Sequence, residues 1–493
     1  MEARQLISIL TLNRAFINIS NQNRVKNWNY SSSTWNVLSI NAFKSCLEGV
    51  ISMKGTGGGE CEWISQIPKS WKVGRLKNVI ETLTDYTANG SFGDLAKNIT
   101  YLDNEGYARL VRLTDLRENL NNIGVYVDQS AYEYLGKSKL FGGEILVANV
   151  GAYAGLFCEM PTPHMPATLG PNMFLIRTNG LMDSHFLFYL GSSNVVQEAL
   201  RKKAVSSAQP KLNKTDVKTV HIPIPPIEEQ KVISAFLDTV CLKIDLLIKD
   251  LKTQIDILEQ YKQSIVAETV TKGLNNNKDI RETGVPYIGA APASWKLHPV
   301  YYYFTERKNK NSLGKERNLL SLSYGRIIKK DINTSEGLLP ESFSTYNIVE
   351  KGDIIIRPTD LQNDKRSLRT GLVTQHGIIT SAYICLKPVR PINTQYFHYL
   401  LHSFDIKKVF YNMGNGVRQG LNFSEFSRIM VLEPPLNEQG DIVNYLNDKC
   451  EQINKIISKK REQLATLNSY KKSLIYECVT GKKEIPAHES YRK

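Results

Sequence analysis

Most of this chain consists of two similar segments in tandem, and this internal repeat constrains its fold more than any other feature. The segment His221-Ile-Pro-Ile-Pro-Pro-Ile-Glu-Glu-Gln230 corresponds to Val431-Leu-Glu-Pro-Pro-Leu-Asn-Glu-Gln439, and the same offset of 209 residues pairs Tyr261 with Tyr470. Upstream, Pro68-Lys-Ser-Trp-Lys72 is matched by Pro292-Ala-Ser-Trp-Lys296. A duplication this long differs from the short stacked units of a solenoid. It predicts a pseudo-two-fold molecule in the order domain, long helix, domain, long helix.

A long segment with heptad periodicity follows each Pro-Pro pair and predicts a coiled-coil helix. Proline can precede a helix, Glu228 and Glu229 suit its N-terminal end, and Gly273 is a natural stop. We expect helices over residues 227–274 and 436–481. They should pair antiparallel, because the first ends and the second begins at the same domain. Helices that bind an external partner instead are the alternative.

The heptad pattern also predicts which residues form the seam between the two helices. These are Val240, Ile244, Leu247, Leu251, Leu258, Tyr261, Ile265, Ile453, Ile456, Leu467, Tyr470 and Leu474. Three polar residues, Gln254, Lys460 and Gln463, fall on the same seam, and the stem of Lys460 can pack while its charge reaches water.

The rest of the chain divides around these helices. Residues 61–226 and 275–435 read as α+β domains of mixed strands and short helices, with matching strands at 143–147 and 352–356. Residues 1–60 form an extension outside the repeat, and we expect the functional chain to start near Met53. Residues 482–493 form a C-terminal tail.

The charge distribution favours a polyanionic partner. The net charge is +14, but the helical segments are close to neutral, with about six Lys against eight acidic residues over 228–272. The positive excess therefore lies in the domains. Seven cysteines without metal-ligand spacing indicate free thiols in a reducing cytoplasm. The sequence has no apolar run of the roughly 18 residues that a membrane span needs, and no signal peptide.

Motifs for catalysis are missing from the sequence. It contains no phosphate-binding Gly-x-x-x-x-Gly-Lys-Ser/Thr loop, no His-Glu-x-x-His zinc motif and no Gly-x-Ser-x-Gly nucleophile motif. The Asn-Pro-Pro-Tyr or Asp-Pro-Pro-Tyr motif of adenine methyltransferases is also missing. These gaps favour a binding protein over an enzyme and predict no metal site in the chain.

Basic and amide side chains in the domains are candidates for contacts with phosphates and base edges. Between Glu306 and Lys330 the chain has about eight basic residues and two acidic ones. In the first domain the candidates are Arg109, Arg112, Asn149, Tyr153, Gln209 and Lys211. In the second they are Arg307, Lys308, Lys310, Arg326, Arg357, Lys365, Arg366, Arg369, Arg418 and Gln419. A solvated surface without a ligand is the alternative for each of them.

Together these motifs resemble the specificity subunit of type I restriction–modification systems. The residues that carry the resemblance are the entries Trp63 to Trp71 and Tyr287 to Trp295, the pairs Leu212-Asn213 and Leu421-Asn422, both Pro-Pro-x-x-Glu-Gln sites and both Tyr-Lys-x-Ser-x-x-x-x-x-Val-Thr endings. The segment from Gln362 to Tyr383 looks like one class of that family's target recognition domain. The similarity covers about residues 60–485 and leaves out the N-terminal extension.

The resemblance implies a non-catalytic subunit whose two target recognition domains each read half of a split, asymmetric DNA target. It implies two modification subunits that bind S-adenosylmethionine and methylate adenine, and restriction subunits that use ATP and Mg²⁺, so that no cofactor is expected on this chain. A coiled-coil scaffold and a fused restriction and methylation enzyme are the competing interpretations.

Overall fold

The computed structural model describes residues 67–485 except 104, 205–208, 276–278, 334–341, 360, 362–367 and 412–419, together with the backbone of Thr56–Gly57. Apart from Thr56–Gly57, the expected N-terminal extension therefore lies outside the described residues, and so does most of the tail. The chain forms two compact units. Unit 1 contains the described residues up to Asp250 and those from Gln463 onward, and unit 2 is Leu251–Glu462.

Unit 1 is built on two four-stranded sheets and two two-stranded ones. Its strands are β1 (Thr56–Gly57), β2 (Ile67–Pro68), β3 (Lys72–Arg75), β4 (Ile80–Asp85), β5 (Ala108–Val111), β6 (Val125–Val127), β7 (Lys139–Leu140), β8 (Ile145–Ala148), β9 (Phe157–Glu159), β10 (Ala167–Leu169), β11 (Met173–Thr178) and β12 (His221–Ile224). Its helices are α1 (Phe92–Asn98), α2 (Leu113–Arg117), α3 (Gln129–Tyr134), α4 (Ser184–Ser192), α5 (Asn194–Lys203) and α6 (Lys214–Lys218). The sheets have the orders β6-β5-β10-β7, β4-β11-β8-β9, β12-β3 and β1-β2.

Unit 2 has one four-stranded sheet and four pairs of strands. Its strands are β13 (Ile280–Glu282), β14 (Ala290–Pro292), β15 (Lys296–Pro299), β16 (Phe304–Glu306), β17 (Leu320–Ser323), β18 (Arg326–Lys329), β19 (Asn347–Val349), β20 (Ile354–Ile356), β21 (Thr370–Leu372), β22 (Gly377–Ile379), β23 (Ile384–Pro388) and β24 (Met430–Glu433). Its short helices are α8 (Val300–Tyr303), α9 (Thr394–Ile406) and α10 (Phe423–Phe426). The long helices are α7 (Ile227–Lys272) and α11 (Leu436–Val479), and each contributes residues to both units.

The sequence repeat is visible in the strand order. The sheet β4-β11-β8-β9 of unit 1 has the same connectivity as β16-β23-β20-β21 of unit 2. In each unit the strand that follows the repeated tryptophan pairs antiparallel with the strand that leads into a long helix, as β3 with β12 and β15 with β24. The α+β fold with two long helices is confirmed.

The repeated glutamine of the Pro-Pro-x-x-Glu-Gln motif joins each domain to its long helix. The buried Gln230 amide accepts a hydrogen bond from the backbone N–H of Asp183, which caps α4, at 2.8 Å, and donates to the carbonyl of Pro225. Gln439 repeats this with the N–H of Asn393, which caps α9, at 2.9 Å. Because an unpaired buried amide is costly, these two residues specify how each long helix leaves its domain.

The repeated Leu-Asn pair begins a short helix in each unit. Asn213 accepts a hydrogen bond from the N–H of Asp216, whose carboxylate accepts one from the N–H of Asn213. Asn422 and Glu425 form the same capping box. The preceding leucines are buried, so both halves of the motif are explained by local structure.

Both long helices end at a glycine in the left-handed region. Gly273 has φ +79° and lies against the Trp295 ring in unit 2, whereas Gly481 has φ +70° and lies against Pro68 and Trp71 in unit 1. A side chain at Gly481 would bring its Cβ to 2.3 Å from the Pro68 ring. The C-terminal part of α11 therefore packs on the first domain, as the chain order predicts.

Contacts between α7 and α11 occur in both units, and those of unit 2 show that the helices run antiparallel. In unit 1, the Lys471 ammonium binds both carboxylate oxygens of Asp245 at 2.6 and 2.7 Å. In unit 2, Lys262 donates to Asn454 at 3.0 Å. Unit 2 also contains the hydrogen bond from Lys460 to Gln254, so within this unit the partner on α11 falls from 460 to 454 as the residue on α7 rises from 254 to 262.

The seam differs by one residue from the predicted heptad register. The residues at Ile244, Leu251, Ile453, Leu467 and Leu474 are buried, and so is Val240, while Leu258 and Ile265 are half-buried. The interleaving positions are Ile248, Ile255 and Ile457, which are buried, rather than Leu247, Ile456 and Tyr470, which are half-buried. Tyr261 was placed on the seam wrongly, because it is 56% exposed. Both spacings alternate three and four residues, so apolar residues at adjacent positions made them hard to distinguish.

A buried lysine lies on the seam of unit 2. Lys460 is 6% exposed, and its ammonium donates to the Gln254 amide oxygen across the helix pair. The expectation that its charge reaches water is therefore wrong. On one side of this polar pair, the same two helices form an apolar cluster that contains Ile255, Ile453 and Ile457.

Candidate nucleic-acid interface

Arg109 is hydrogen-bonded to the loop that contains Leu120 and Asn122 in unit 1. Its guanidinium donates to the carbonyl of Leu120 at 2.6 Å and to the carbonyl and amide oxygens of Asn122 at 3.1 and 2.9 Å. Because Arg109 is 8% exposed and these bonds are internal, the prediction that it contacts DNA directly is wrong. It positions residues 118–123, which carry the 85% exposed Ile123.

Arg112 belongs to the same polar network but reaches the surface. It binds the buried Asp115 with two hydrogen bonds of 3.0 and 3.2 Å, while its side chain remains 38% exposed. Burial tends to raise the pKa of Asp115, but hydrogen bonds from Arg112 and Asn122 outweigh it and hold that pKa below its usual value. The carboxylate therefore stays charged and fixes the direction of the Arg112 side chain.

The remaining candidates of unit 1 lie together. A bridge between Val150 and Lys211 and a hydrogen bond from Gly151 N–H to Pro210 bring the loop after β8 against the segment before α6. Gln209 and Lys211 are exposed there, Tyr153 is 49% exposed, and Asn149 is half-buried. The guanidinium of Arg117, which the sequence analysis missed, lies 5.0 Å from the Tyr153 ring centre. These groups form a polar and aromatic surface with a cation at its edge.

In unit 2 the first basic candidates already have partners. Arg307 binds the buried Asp353 at 2.6 Å, so its guanidinium is part of the fold. Lys308 and Lys310 are exposed, and their ammonium groups lie 2.9 Å from Glu306 and 3.0 Å from the carbonyl of Thr345. Surface pairs of this kind are weak and exchange readily with a phosphate.

Arg369 is enclosed by unit 2. It is fully buried, donates to the Tyr411 hydroxyl at 3.0 Å and to the carbonyl of Thr359, and its backbone N–H donates to Asp405. The prediction that Arg369 reads a base is therefore wrong. Arg357 lies next to it, half-buried, with its N–H bonded to the Arg369 carbonyl. The candidates Lys365, Arg366, Arg418 and Gln419 lie outside the described residues.

Three exposed basic residues of unit 2 lie on one β-hairpin, which we call the basic ribbon and define as residues 320–330. Arg326, Lys329 and Lys330 are exposed on it, and Tyr324 at its tip is 87% exposed. Arg326 was predicted from its charge. Tyr324 was missed, although the Tyr-Gly pair between two apolar runs is a hairpin signal.

Other kinds of site find no support in the part of the chain that the structure describes. There, no three His, Cys, Asp or Glu side chains gather as metal ligands. The described cysteines are free thiols. Across the same residues, every helix is too short or too polar to span a membrane.

The fold defines a class of protein: a duplicated α+β chain in which two long helices each contribute residues to both units. Residues 68–256 match the family model for the type I restriction modification DNA specificity domain. The chain is 25% identical over 432 residues to a putative type I restriction enzyme MjaX specificity subunit of Methanocaldococcus jannaschii, covering 85% of this chain and 95% of that relative. It is 19% identical over 446 residues to the EcoKI specificity subunit of Escherichia coli, covering 84% and 90%.

A solved structure from work on complex assembly and conformational transition of the type I R-M system has the same fold, with a TM-score of 0.61 at 16% identity over 84% of this chain and 99% of that one. Over 85% of its length the chain is therefore similar to a type I restriction enzyme specificity subunit, and its first half matches the model of that family's DNA specificity domain.

Proposed function

We propose that this protein is a specificity subunit that binds duplex DNA and that each unit reads one half of a bipartite, asymmetric target. The observation that carries the proposal is the duplication itself. The two units share one four-stranded sheet with the same strand order and the same helix junctions, yet their exposed residues differ. Unit 1 presents Tyr153, Gln209 and Lys211, whereas unit 2 presents the basic ribbon. Unlike surfaces on a common scaffold suit two unlike half-sites.

The paired helices supply the spacing between half-sites in this proposal. The 46 residues of α7 correspond to about 70 Å of helix at 1.5 Å per residue. The cross-helix bonds of each unit, such as Lys471 to Asp245, keep the rods from sliding past each other. Rods held in register make the separation of the two DNA contacts a property of helix length.

Catalysis belongs to partner subunits in this proposal. A specificity subunit is a recognition component and not an enzyme. We infer that two modification subunits bind S-adenosylmethionine and methylate adenine, and that restriction subunits use ATP and Mg²⁺. The assembly would act in the cytoplasm, where the genome and these partners are present. The free thiols of the described cysteines suit that compartment.

Selection from a random duplex library tests the proposal. The chain, assembled with its modification subunits, is expected to enrich two different short sequences separated by a constant gap. Modification subunits without this chain serve as the control and should enrich nothing. Binding should also weaken with salt, because basic residues displace counterions from phosphates. A wild-type assembly that enriches no sequence, or only one contiguous sequence, would contradict the proposal.

A further inference from the structure

The tip of the basic ribbon holds an aromatic residue that the fold does not need. Ser323 pairs with Arg326, so Tyr324 and Gly325 form a two-residue turn with φ +45° and +77°. Such a turn favours asparagine, aspartate or glycine at its first position, and a tyrosine there is strained. Its ring is 87% exposed and so contributes little burial. A residue that costs stability without packing calls for a functional explanation.

The two strands of the ribbon pack closely against the sheet of unit 2. The inner face of the ribbon carries Leu322 and Ile327, which lie over Gly371 of β21. A Cβ at Gly371 would stand 2.6 Å from Leu322 and 2.8 Å from Ile327, so the two elements are in close contact. Leu320 and Ile327 also pack in the core cluster of this sheet. The tip is therefore presented in one orientation, which lowers the entropy cost of binding.

The outer face of the ribbon carries side chains that can contact the edges of DNA bases. The register places Ser321 opposite Ile328 and Ser323 opposite Arg326 on this face. An arginine can donate two hydrogen bonds to guanine, hydroxyls can donate or accept, and an apolar side chain can contact the thymine methyl group. Between Arg317 and Lys330 the sequence has four basic residues and no acidic one. This surface matches duplex DNA in charge.

The ribbon also has the dimensions of the major groove. That groove is about 12 Å wide and admits a two-stranded ribbon. Strands of four residues are about 13 Å long at 3.3 Å per residue, which is close to four base pairs.

We propose that the basic ribbon enters the major groove of the half-site read by unit 2, with Tyr324 as a specificity-determining contact at its tip. This rests on the proposed function. Arg326 faces base edges from the neighbouring position, and Lys329 and Lys330 lie where they can neutralise phosphates. The Tyr324 ring packs on the base pair at the end of the segment that the ribbon reads.

The test compares Tyr324→Asn with the wild type in the assembled methyltransferase, by selection from a random duplex library. Asparagine suits the left-handed turn, so this variant keeps or improves the fold while it removes the ring. We expect affinity for the wild-type target to fall roughly 10- to 100-fold and preference to be lost at one or two adjacent positions of one half-site. The melting temperature should not fall.

Matched variants separate the roles of the ribbon residues. Tyr301→Ala removes another exposed tyrosine of unit 2, on α8, and should leave the selected sequence unchanged. Arg326→Ala should relax a position next to the one lost in Tyr324→Asn. Lys329→Ala should weaken binding to all sequences alike and reduce the salt dependence.

The outcomes distinguish the two proposals. A wild-type assembly that selects a bipartite target, while Tyr324→Asn selects the same target with the same affinity, overturns the ribbon proposal alone. Loss of modification subunits from the Tyr324→Asn assembly, with the target unchanged, overturns it too, because the tip would then contact protein. A wild-type assembly without any sequence preference removes the proposed function and the ribbon proposal with it.

Discussion

One histidine should make unit 1 less stable at alkaline pH. His185 on α4 lies between two carboxylates, with Nδ1 2.6 Å from Glu159 and Nε2 2.7 Å from Asp238 of α7. Tyr189 donates to the same Asp238 oxygen at 2.7 Å. Unit 2 has a neutral version, in which Gln395 and Tyr399 each donate to Asn447 at 2.8 Å. The double variant His185→Gln, Asp238→Asn therefore gives unit 1 the neutral junction of its repeat.

The size of the effect follows from the pKa of His185. The hydrogen bond to Glu159 raises that pKa most, against the opposing effect of burial, and the bond to Asp238 adds to it, so the value reaches about 9. A shift from 6.5 to about 9 corresponds to about 3 kcal/mol without screening. The histidine side chain is 32% exposed and that of Asp238 51% exposed, so solvent reduces this to about 1–2 kcal/mol.

The direction follows from the raised pKa. The stabilisation is fully present below the unfolded value of about 6.5 and is lost as the pH rises through about 9. For a unit of this size, about 1–2 kcal/mol corresponds to a change of about 3–6 °C in melting temperature.

Thermal denaturation of the wild type and the double variant at pH 6 and pH 10 measures the effect. The wild type should melt about 3–6 °C above the variant at pH 6, and the two should converge at pH 10. Comparing the two proteins removes the contribution of lysines, tyrosines and cysteines elsewhere. A difference in melting temperature that is the same at both pH values would refute the reasoning, as would a measured His185 pKa near 6.5.

Three further predictions concern buried polar groups. Arg369→Ala should lower the free energy of unfolding by about 3 kcal/mol, because it removes a fully buried guanidinium that donates to Tyr411. The control Arg326→Ala, at an exposed position, should leave that free energy unchanged. Denaturant unfolding measures both, and equal stability of the two variants would contradict the structural role of Arg369. Gln254→Leu alone should lower the free energy of unfolding by about 1–3 kcal/mol, because it removes an acceptor of the buried Lys460 ammonium. The double variant Gln254→Leu, Lys460→Leu should recover most of that loss. A double variant no more stable than the single one would argue against the pairing of these residues across the seam. Arg109→Ala should speed amide hydrogen exchange at Leu120 and Asn122, because it removes the hydrogen bonds that hold this loop. Unchanged exchange rates would exclude a role for Arg109 in positioning the loop.

The large-scale fold could be predicted because the repeat, the order of the elements and the heptad pattern are all visible in the sequence itself. Pro226 and Gly273 lie immediately outside α7, and Pro435 and Gly481 flank α11. The antiparallel pairing followed from chain order alone. Predicting the helix ends and the heptads needs only neighbouring residues or a count along one helix, and predicting the pairing needs only the order of the elements.

The seam register and the state of individual arginines could not be predicted in the same way. Leu247 and Ile248 are adjacent and both apolar, so the choice between them depends on the facing helix. Arg109 and Arg369 resemble any surface arginine in sequence, and their burial depends on Asn122 and Tyr411, which the fold brings near them. Tyr324 shows the reverse case, because this aromatic residue, which the sequence analysis missed, lies exposed at a turn.

The central claim is that the paired helices set the distance between two DNA contacts. Its most direct test inserts seven residues in both helices, between Asp250 and Leu251 and between Glu462 and Gln463, where the two units meet along the chain. One heptad preserves the seam and lengthens each rod by about 10 Å, close to three base pairs. Mapping of N6-methyladenine in a host that expresses the variant should show both half-sites unchanged and the gap between them longer by about three base pairs. Methylation at the original spacing would contradict the claim.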